Sequence, residues 1–294
     1  METLERLAGT LASLDDLRSI VRTMKALAAA SIRQYERAVE SLGQYNRTIE
    51  LGLHVVLRDM PAPVARAHRA PGPVGLVVFG SDHGLCGRFN EDIAGFVDEH
   101  VRTRAETDDV RVLAVGARLT PLVQEAGLPP DDTLSLPGSA ARITALVDRI
   151  LVVLDGWRAD PGVAAVHLFY NHRRAGARTH PMAQRLLPVD LRRFHHLEEE
   201  PWPSRVLPTF TMNRERLFAA LVRQYLFVSL FRACAESQAA EHASRLSAMQ
   251  GASRNLDERQ AELTGEFRRR RQEAITAELL DVVAGYEALG PGPS

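Results

Sequence analysis

The C-terminal part of the chain has no proline between Pro208 and Pro291, and this run most constrains the fold. Proline removes a backbone donor and clashes with the preceding helical turn, so the stretch permits one unbroken helix. Its apolar row consists of Leu217, Leu221, Tyr225, Val228, Ala235, Ala239, His242, Leu246, Met249, Leu256, Leu263 and Phe267. Apolar residues that recur three or four positions apart over many helical turns indicate a coiled-coil seam. Such a helix would be about 115 Å long, so it needs a partner.

The expected partner is the N-terminal segment, residues 1–60, which also lacks proline and carries heptads. One apolar row consists of Leu7, Leu14, Val21, Ala28, Tyr35, Leu42, Ile49 and Val56. A companion row consists of Leu4, Leu11, Ile32, Val39 and Leu53, with interruptions at Arg18, Lys25 and Asn46. Buried charge is costly, so the interruptions mark places where the seam opens, turns outward or meets another protein. The strict repeat predicts a left-handed supercoil.

The middle of the chain alternates between short apolar runs and helical patterns. We predict strands at residues 74–79, 110–115 and 163–170, helices at 89–102, 119–126 and from a Ser139 cap to about Trp157, and an edge strand with Pro181 at 179–188. This alternation predicts a small Rossmann-like α/β domain with a mainly parallel sheet. The fold class is therefore α/β, in which a long antiparallel coiled coil of residues 1–60 and 209–289 carries an inserted domain, residues 74–205.

Composition narrows the classes of function. The chain has 36 basic and 37 acidic side chains, so there is no global electrostatic case for binding nucleic acid or an acidic membrane surface. Cys86 and Cys234 are far apart and lack metal-ligand or redox spacing, which fits a reduced, cytosolic compartment. The N-terminus shows no signal pattern, and no apolar run is expected to cross a bilayer. We therefore expect membrane association only through another protein.

Residues 80–87 follow a strand and precede a helix, where phosphate-binding loops occur. Their spacing matches neither the dinucleotide fingerprint nor the P-loop, so a tight structural turn is the preferred interpretation. Cys86 beside His83 suggests a nucleophile and a base, but a single such pair in a loop is weak evidence, and a structural cysteine is preferred.

Other polar clusters have ordinary interpretations. His195 and His196 are adjacent, do not share one face, and cannot readily converge on an ion, so we expect a solvated loop there, together with residues 198–200. His167, His172 and His180 surround the end of the third predicted strand, where scattered surface histidines are the usual case. Four arginines at residues 268–271 predict either a solvated helix face or a contact with acidic groups of a surrounding protein.

Several motifs now indicate a family. Ser81-Asp-His-Gly-Leu-Cys-Gly87 with Asn90 resembles the Ser/Thr-Asp-Arg-Gly-Leu-Cys-Gly-Gly-Leu-Asn motif of the γ subunit of F-type ATP synthases. Residues 20–30 resemble the family's Ile-Thr-Lys-Ala-Met-x-Met-Val-Ala-Ala stretch, and residues 271–280 its Arg-Gln-Ala-x-Ile-Thr-x-Glu-Leu. Glu241 with residues 245–249 is similar to Glu-x-Ala-Ala-Arg-Met-x-Ala-Met. These matches occur in the family's order at both ends and in the first strand-loop.

The resemblance implies a central rotor shaft. The coiled coil would stand inside a ring of three α and three β subunits, and the α/β domain would form a foot on the membrane-embedded c-ring beside the ε subunit. Ion-driven rotation would force each β site through its binding, catalytic and release conformations. Nucleotide and magnesium would bind on β and α, so this chain would hold no cofactor or metal. It would lie at the cytoplasmic face of the bacterial inner membrane as a peripheral subunit.

The resemblance also implies site residues. In the foot domain the motif residues are Ser81, Asp82, Gly84, Leu85, Cys86, Gly87 and Asn90. The expected contacts with the α and β subunits, which form the stator around the shaft, are Met24, Lys25, Glu241, Arg245, Arg268, Arg269, Arg270, Arg271, Gln272 and Thr276. The alternatives are an α/β enzyme with a Cys86 nucleophile and a coiled-coil scaffold unrelated to ATP synthesis.

Overall fold

The computed structural model describes residues 3–58, 72–103, 110–159, 162–173, 179–191, 194 and 208–289. The chain divides into two compact units: unit 2 comprises residues 28–247, and unit 1 joins residues 1–27 with residues 248–294. The pair His195 and His196, residues 198–200 and residues 290–294 lie outside the described residues.

Both chain ends form single long helices, as the proline-free runs predict. The described helices are α1 (Leu4–Leu57), α2 (Phe89–Thr103), α3 (Thr120–Glu125), α4 (Ile143–Ala159) and α5 (Arg214–Leu289), with a 3-10 turn at Ala140–Arg142 before α4. The strands are β1 (Val74–Phe79), β2 (Val110–Val115), β3 (Asp132–Leu134), β4 (Ala165–Arg173) and β5 (Thr179–Leu187). α1 has 54 residues and α5 has 76.

The five described strands form one sheet in unit 2, in the order β3-β2-β1-β4-β5. β1 pairs in parallel with β2 and with β4, so that Val74 lies opposite both Val110 and Ala165. β3 pairs in parallel with β2, whereas β5 runs antiparallel to β4 at the edge of the sheet. Pro181 lies opposite Asn171 in this edge strand, where a missing backbone donor is tolerated.

Side chains alternate across the sheet and build two cores. Val77 and Phe79 of β1 point into a core that includes α4 and parts of α1 and α5, with Tyr35, Leu53 and Leu230 among its members. The intervening residues of β1 point to the opposite face, which α2 and α3 cover. Both faces of β1 are therefore buried, which is why this strand is a continuous apolar run in the sequence.

Within unit 2, α1 and α5 pack antiparallel. The rings of Tyr35 and His242 stack at 5.7 Å between centroids. The Tyr45 hydroxyl donates to Gln224 Oε1 at 2.9 Å. Increasing residue number in α1 therefore matches decreasing residue number in α5. None of the heptad positions of α1 from Ala28 to Val56 is exposed, so the predicted seam is confirmed in this unit.

Within unit 1, one interruption of the seam has a polar explanation. The Arg18 guanidinium pairs with Asp257 at 3.1 Å and donates to Gln260 at 3.0 Å on α5. Leu7 and Leu263 are buried in the same unit. The predicted fold class, α/β with long paired terminal helices and a mainly parallel sheet, is confirmed. The three-segment domain division with its bounds stays a prediction.

Three local expectations need correction. β3 was not expected, because a three-residue strand is too short to show periodicity. The Ser139 side chain makes no capping hydrogen bond, and this extended residue instead precedes a 3-10 turn in which the Arg142 amide bonds to the Ser139 carbonyl. The third predicted strand begins at Ala165 rather than residue 163 and continues to Arg173.

The expectation that no apolar run is long enough for a membrane is also too strong. Among the described residues, the part of α5 from Arg214 to Tyr286 contains an 18-residue stretch with a mean hydropathy of 1.4. By length and composition alone, such a stretch could cross a membrane. One such helix is weak evidence for a membrane span, because core helices of soluble proteins have the same length and composition. Here the apolar residues are those that pack on the sheet, such as Leu226, Val228 and Leu230.

Candidate functional site

The loop after β1 is closed by its own polar groups. A side chain at Gly80 would lie 2.5 Å from the Leu119 Cβ, so only glycine permits this close approach. The Ser81 amide donates to Asn90 Oδ1 at 2.9 Å, and Asn90 Nδ2 donates back to the Ser81 hydroxyl at 2.8 Å. These two motif residues therefore bind each other, and the start of α2 is tied to the end of β1.

Asp82 fixes the same loop to its neighbours in the sheet. One carboxylate oxygen accepts the Ala117 amide, and the other accepts the Leu136 amide, each at 2.8 Å. These amides follow β2 and β3. The Asp82 carboxylate thus has a structural role, because it accepts hydrogen bonds from two backbone amides. Through these bonds the loop after β1 is connected to the ends of β2 and β3.

The second half of the loop turns sharply and presents one apolar side chain. Leu85 has a φ of 64° and Gly87 a φ of 61°, and both lie in the left-handed region. The Leu85 side chain is 59% exposed. Cys86 between them is buried, its Sγ lies 3.6 Å from the Ser81 hydroxyl, and burial raises the pKa of its thiol. A buried thiol with a raised pKa is a poor nucleophile.

Helix α5 binds this loop from the other side. The Ser244 hydroxyl donates to the Cys86 carbonyl at 2.6 Å. Arg245 Nη2 donates to the His83 carbonyl at 3.2 Å and to the Gly84 carbonyl at 3.3 Å. The family resemblance implies that Arg245 contacts another subunit. The structure places its side chain, which is only 10% exposed, inside unit 2.

Glu241 holds the other side of the same guanidinium. Its Oε1 lies 2.6 Å from Arg245 Nη2, and Gln238 donates to its Oε2 at 3.2 Å. Burial raises the pKa of Glu241 despite the opposing effect of Arg245, because the carboxylate is almost fully withdrawn from water. The predicted contact of Glu241 and Arg245 with a β subunit stays a prediction.

His242 lies in the seam next to this cluster. Its ring stacks on Tyr35 with 17° between the planes, and Arg245 Nη1 is 3.3 Å from its Nδ1. Burial, reinforced by the charge of Arg245, lowers the pKa of His242 to about 4. Tyr35 donates to the Pro137 carbonyl at 3.2 Å, and burial raises its pKa to about 12. His242, a member of the predicted apolar row of α5, therefore packs against α1.

The remaining predicted contact residues belong to unit 1. Met24 and Lys25 are half-buried on α1. On α5, Arg270 bonds to Glu266 at 3.1 Å and is half-buried, while Thr276 donates to the Gln272 carbonyl at 2.8 Å. The other positions, Arg268, Arg269, Arg271, Gln272 and Thr276, are exposed.

An exposed apolar segment at the end of α5 was missed by the sequence analysis. All side chains from residue 271 to 286 are exposed. The large apolar ones are Ile275, Leu279, Leu280, Val282, Val283 and Tyr286. In unit 1 Arg18 lies opposite Asp257 and Gln260, so an antiparallel α1 beginning at Leu4 ends opposite about residues 271–274. The unequal lengths of the two predicted helices were the signal for this segment.

No group of three or more metal-binding side chains occurs among the described residues. His172 instead bonds to Glu236 of α5 at 3.1 Å, and His167 lies beside Phe169 with 6.4 Å between ring centroids.

Comparison with known proteins decides the family. A family model described as ATP synthase matches residues 3–289. The ATP synthase gamma chain of Bacteroides thetaiotaomicron is 30% identical over 301 residues, covering 97% of this chain and 99% of that protein. The chain belongs to the ATP synthase γ-chain family. The γ chain of Syntrophus aciditrophicus is 29% identical and covers 99% of this chain and all of its own length.

Solved structures agree with this family at the level of the fold. A cryo-EM structure of the Euglena gracilis mitochondrial ATP synthase (OSCP/F1/c-ring) contains a chain that is 17% identical with a TM-score of 0.65, over 97% of this chain and 94% of its own. The Tetrahymena thermophila mitochondrial central stalk/c-ring structure gives 22% identity and a TM-score of 0.56, over 80% and 99%. The rotor-shaft role expected from the γ-chain resemblance is confirmed, and neither the Cys86 enzyme nor the unrelated scaffold is supported.

Proposed function

We propose that this γ-family chain is a non-catalytic shaft whose rotation drives catalytic sites located on β subunits. Family membership supports this assignment, and so does the state of Cys86, whose thiol is buried with a raised pKa. In the motif loop, the polar groups of Ser81, Asp82 and Asn90 are bonded within the chain. The expected domain layout, residues 1–60, 74–205 and 209–289, belongs to the same proposal.

The proposed partners are three α and three β subunits around the shaft, with the ε subunit and the c-ring at the foot. Nucleic acid is not among them. Membrane association runs only through the Fo sector, which puts the chain at the cytoplasmic face of the cell membrane as a peripheral subunit. Solved relatives named as central stalk and c-ring assemblies support this setting through their fold.

The observation that carries the proposal is the exposed end of α5. A helix face that bears Ile275, Leu279 and Val283 next to the arginines of residues 268–271 is both apolar and cationic. Contiguous exposed apolar surface of this kind marks a surface that another protein covers. A surrounding ring with an apolar lining and acidic loops matches both properties.

Specific contacts follow from the resemblance. Arg271, Gln272 and Thr276 hydrogen-bond a β-subunit loop, while Met24 and Lys25 lie near an acidic β segment. Glu241 and Arg245 act in the same interaction region, and the positive charge of residues 268–270 adds attraction. Driving a catalytic subunit almost fully from one state to another requires about 5.5 kcal/mol of differential binding, so the shaft must present different faces as it turns.

The test is a double variant in the assembled enzyme. Arg271→Ala with Gln272→Ala removes two exposed hydrogen-bonding side chains at the expected β contact, and should impair assembly or the coupling of ATP hydrolysis to ion pumping. Arg259→Ala is the matched control, because Arg259 is also an exposed α5 arginine of unit 1 and pairs with Glu262 of the same helix at 2.6 Å. Unchanged ATP-driven pumping in the double variant would contradict the assigned contacts.

Copurification tests the wider proposal. The tagged full chain should recover α and β subunits in a three-to-three-to-one ratio, and the isolated chain should show no ATP turnover. Recovery of the chain without either subunit, or turnover that disappears in Cys86→Ala, would refute the shaft assignment.

A further inference from the structure

In open parallel sheets, ligands bind at the carboxyl ends of the strands, at the point where the strand order reverses. In this sheet that point lies between β1 and β4. The loop after β1 and the end of β4 meet there, because Asn171 Nδ2 donates to the Phe89 carbonyl at 3.0 Å. The crevice is occupied by α5, which contacts the end of β4 through Glu236 and His172 and the loop through Ser244 and Cys86.

The contact between α5 and the loop is made to backbone atoms. Three backbone carbonyls of the loop accept hydrogen bonds from α5. Arg245 donates to the carbonyls of His83 and Gly84, and Ser244 donates to the carbonyl of Cys86. Beside these bonds, Cys86 and Phe89 form a small buried apolar cluster with Ala240 of α5. Backbone anchoring fixes the position of the loop itself, rather than only the position of a flexible side chain.

The left-handed backbone of Leu85 is explained by the same bonds. A left-handed conformation is strained for a non-glycine residue, so it persists where the surroundings fix both sides. Here Arg245 holds the carbonyl before Leu85 and Ser244 holds its successor Cys86. Glu241 fixes the Arg245 guanidinium in turn.

We propose that Arg245, oriented by Glu241, is a positioning residue that locks the loop of residues 81–87 to α5 and transmits torque between the sheet and the shaft helix. This inference rests on the proposed rotor function, but assigns Arg245 an action inside the chain. This role within the chain is separate from the contact with the stator that is proposed for the same residue. The Ser244 hydroxyl supplies a further hydrogen bond between α5 and the same loop.

The test combines a local and a functional measurement on Arg245→Gln, Arg245→Lys and Ser244→Ala. Amide hydrogen exchange of residues 82–88 is measured in the full chain alone and in the assembled enzyme, with the amides of β2 as an internal reference. Losing the charged hydrogen bonds in Arg245→Gln should accelerate exchange of the loop about tenfold or more and leave β2 unchanged. Ser244→Ala, which deletes one hydroxyl, should give a smaller acceleration in the same residues.

In the assembled enzyme, ions pumped per ATP hydrolysed should fall in Arg245→Gln and recover partly in Arg245→Lys, since lysine restores a cationic donor to the carbonyls. Unchanged loop exchange together with poor pumping would overturn the proposal in favour of a direct stator contact. Accelerated exchange with normal pumping would overturn the role in torque. Amide hydrogen exchange is measured in the isolated chain without any partner subunit. A failure of the wild-type chain to assemble would therefore contradict the proposed function, and not the loop contact of Arg245.

Discussion

The half-buried imidazole of His242 makes the stability of the chain sensitive to acid. Its ring lies on Tyr35, and the Arg245 guanidinium is 3.3 Å from Nδ1. Burial first, and the charge of Arg245 second, lower the pKa of His242 from 6.5 to about 4. The unfolded chain therefore takes up a proton at this side chain well before the folded chain does.

The sign and size of the effect follow from this difference. Because the folded-state pKa is the lower one, the stability that the neutral ring contributes is complete above about pH 6.5 and is lost as the pH falls toward 4. The full difference corresponds to about 3 kcal/mol, of which about 2 kcal/mol is lost by about pH 5. Glu241 acts in the opposite direction, because burial raises its pKa and its protonation favours the folded state.

Urea unfolding of the full chain at about pH 7.5 and about pH 5 measures this loss. His242→Gln keeps an acceptor toward Arg245, and His242→Phe keeps a ring on Tyr35, but neither variant titrates. Between the two pH values the wild type should lose about 2 kcal/mol more than either variant, while Glu241 contributes equally to all three proteins. Equal losses in all three proteins would refute the assignment of the acid sensitivity to His242.

Two further predictions concern packing and thiol reactivity. Gly75→Ala places a methyl group 2.7 Å from two ring carbons of Trp157 and should destabilise the chain by about 1–3 kcal/mol. Gly95 is at an exposed helix position, where an added methyl group would meet nothing within 4 Å. Gly95→Ala should therefore stabilise the chain by up to about 1 kcal/mol. Thermal unfolding compares them, and a shift of the same sign in both would contradict this packing. Cys86 and Cys234 are buried, and burial raises the pKa of both thiols. An aromatic disulfide reagent at neutral pH should label them far more slowly in the folded chain than in urea, and fast labelling of folded protein would contradict their burial.

Much of the fold could be predicted because its signals are periodic and local. β1 and β2 have the predicted bounds, since a strand covered on both faces is a continuous apolar run bounded by turn residues. The heptad rows of α1 predicted which of its faces is buried. β3 could not be predicted, because its three residues are a strand only through pairing with Leu113 to Val115 of β2.

The internal role of Glu241 and Arg245 was invisible in the sequence for a different reason. A glutamate and an arginine four residues apart on a helix normally form a solvated surface pair. Here their neighbours are backbone carbonyls of His83 and Gly84, about 160 positions earlier in the chain. A backbone acceptor carries no sequence signature, so no pattern of side chains could show that this pair is buried and holds a loop.

The end of α5 shows how an incomplete pairing can itself indicate function. In unit 1, Leu263 of α5 is buried, whereas every side chain from residue 271 to 286 is exposed, and α1 begins at Leu4. Beyond that point, Leu279, Leu280 and Val283 remain apolar although no part of α1 can reach them. Exposed apolar residues beyond the end of α1 lower the solubility of the free chain, and they are buried only when another protein covers them. The excess length of the C-terminal helix over the N-terminal one therefore predicts an external partner, before any family is considered.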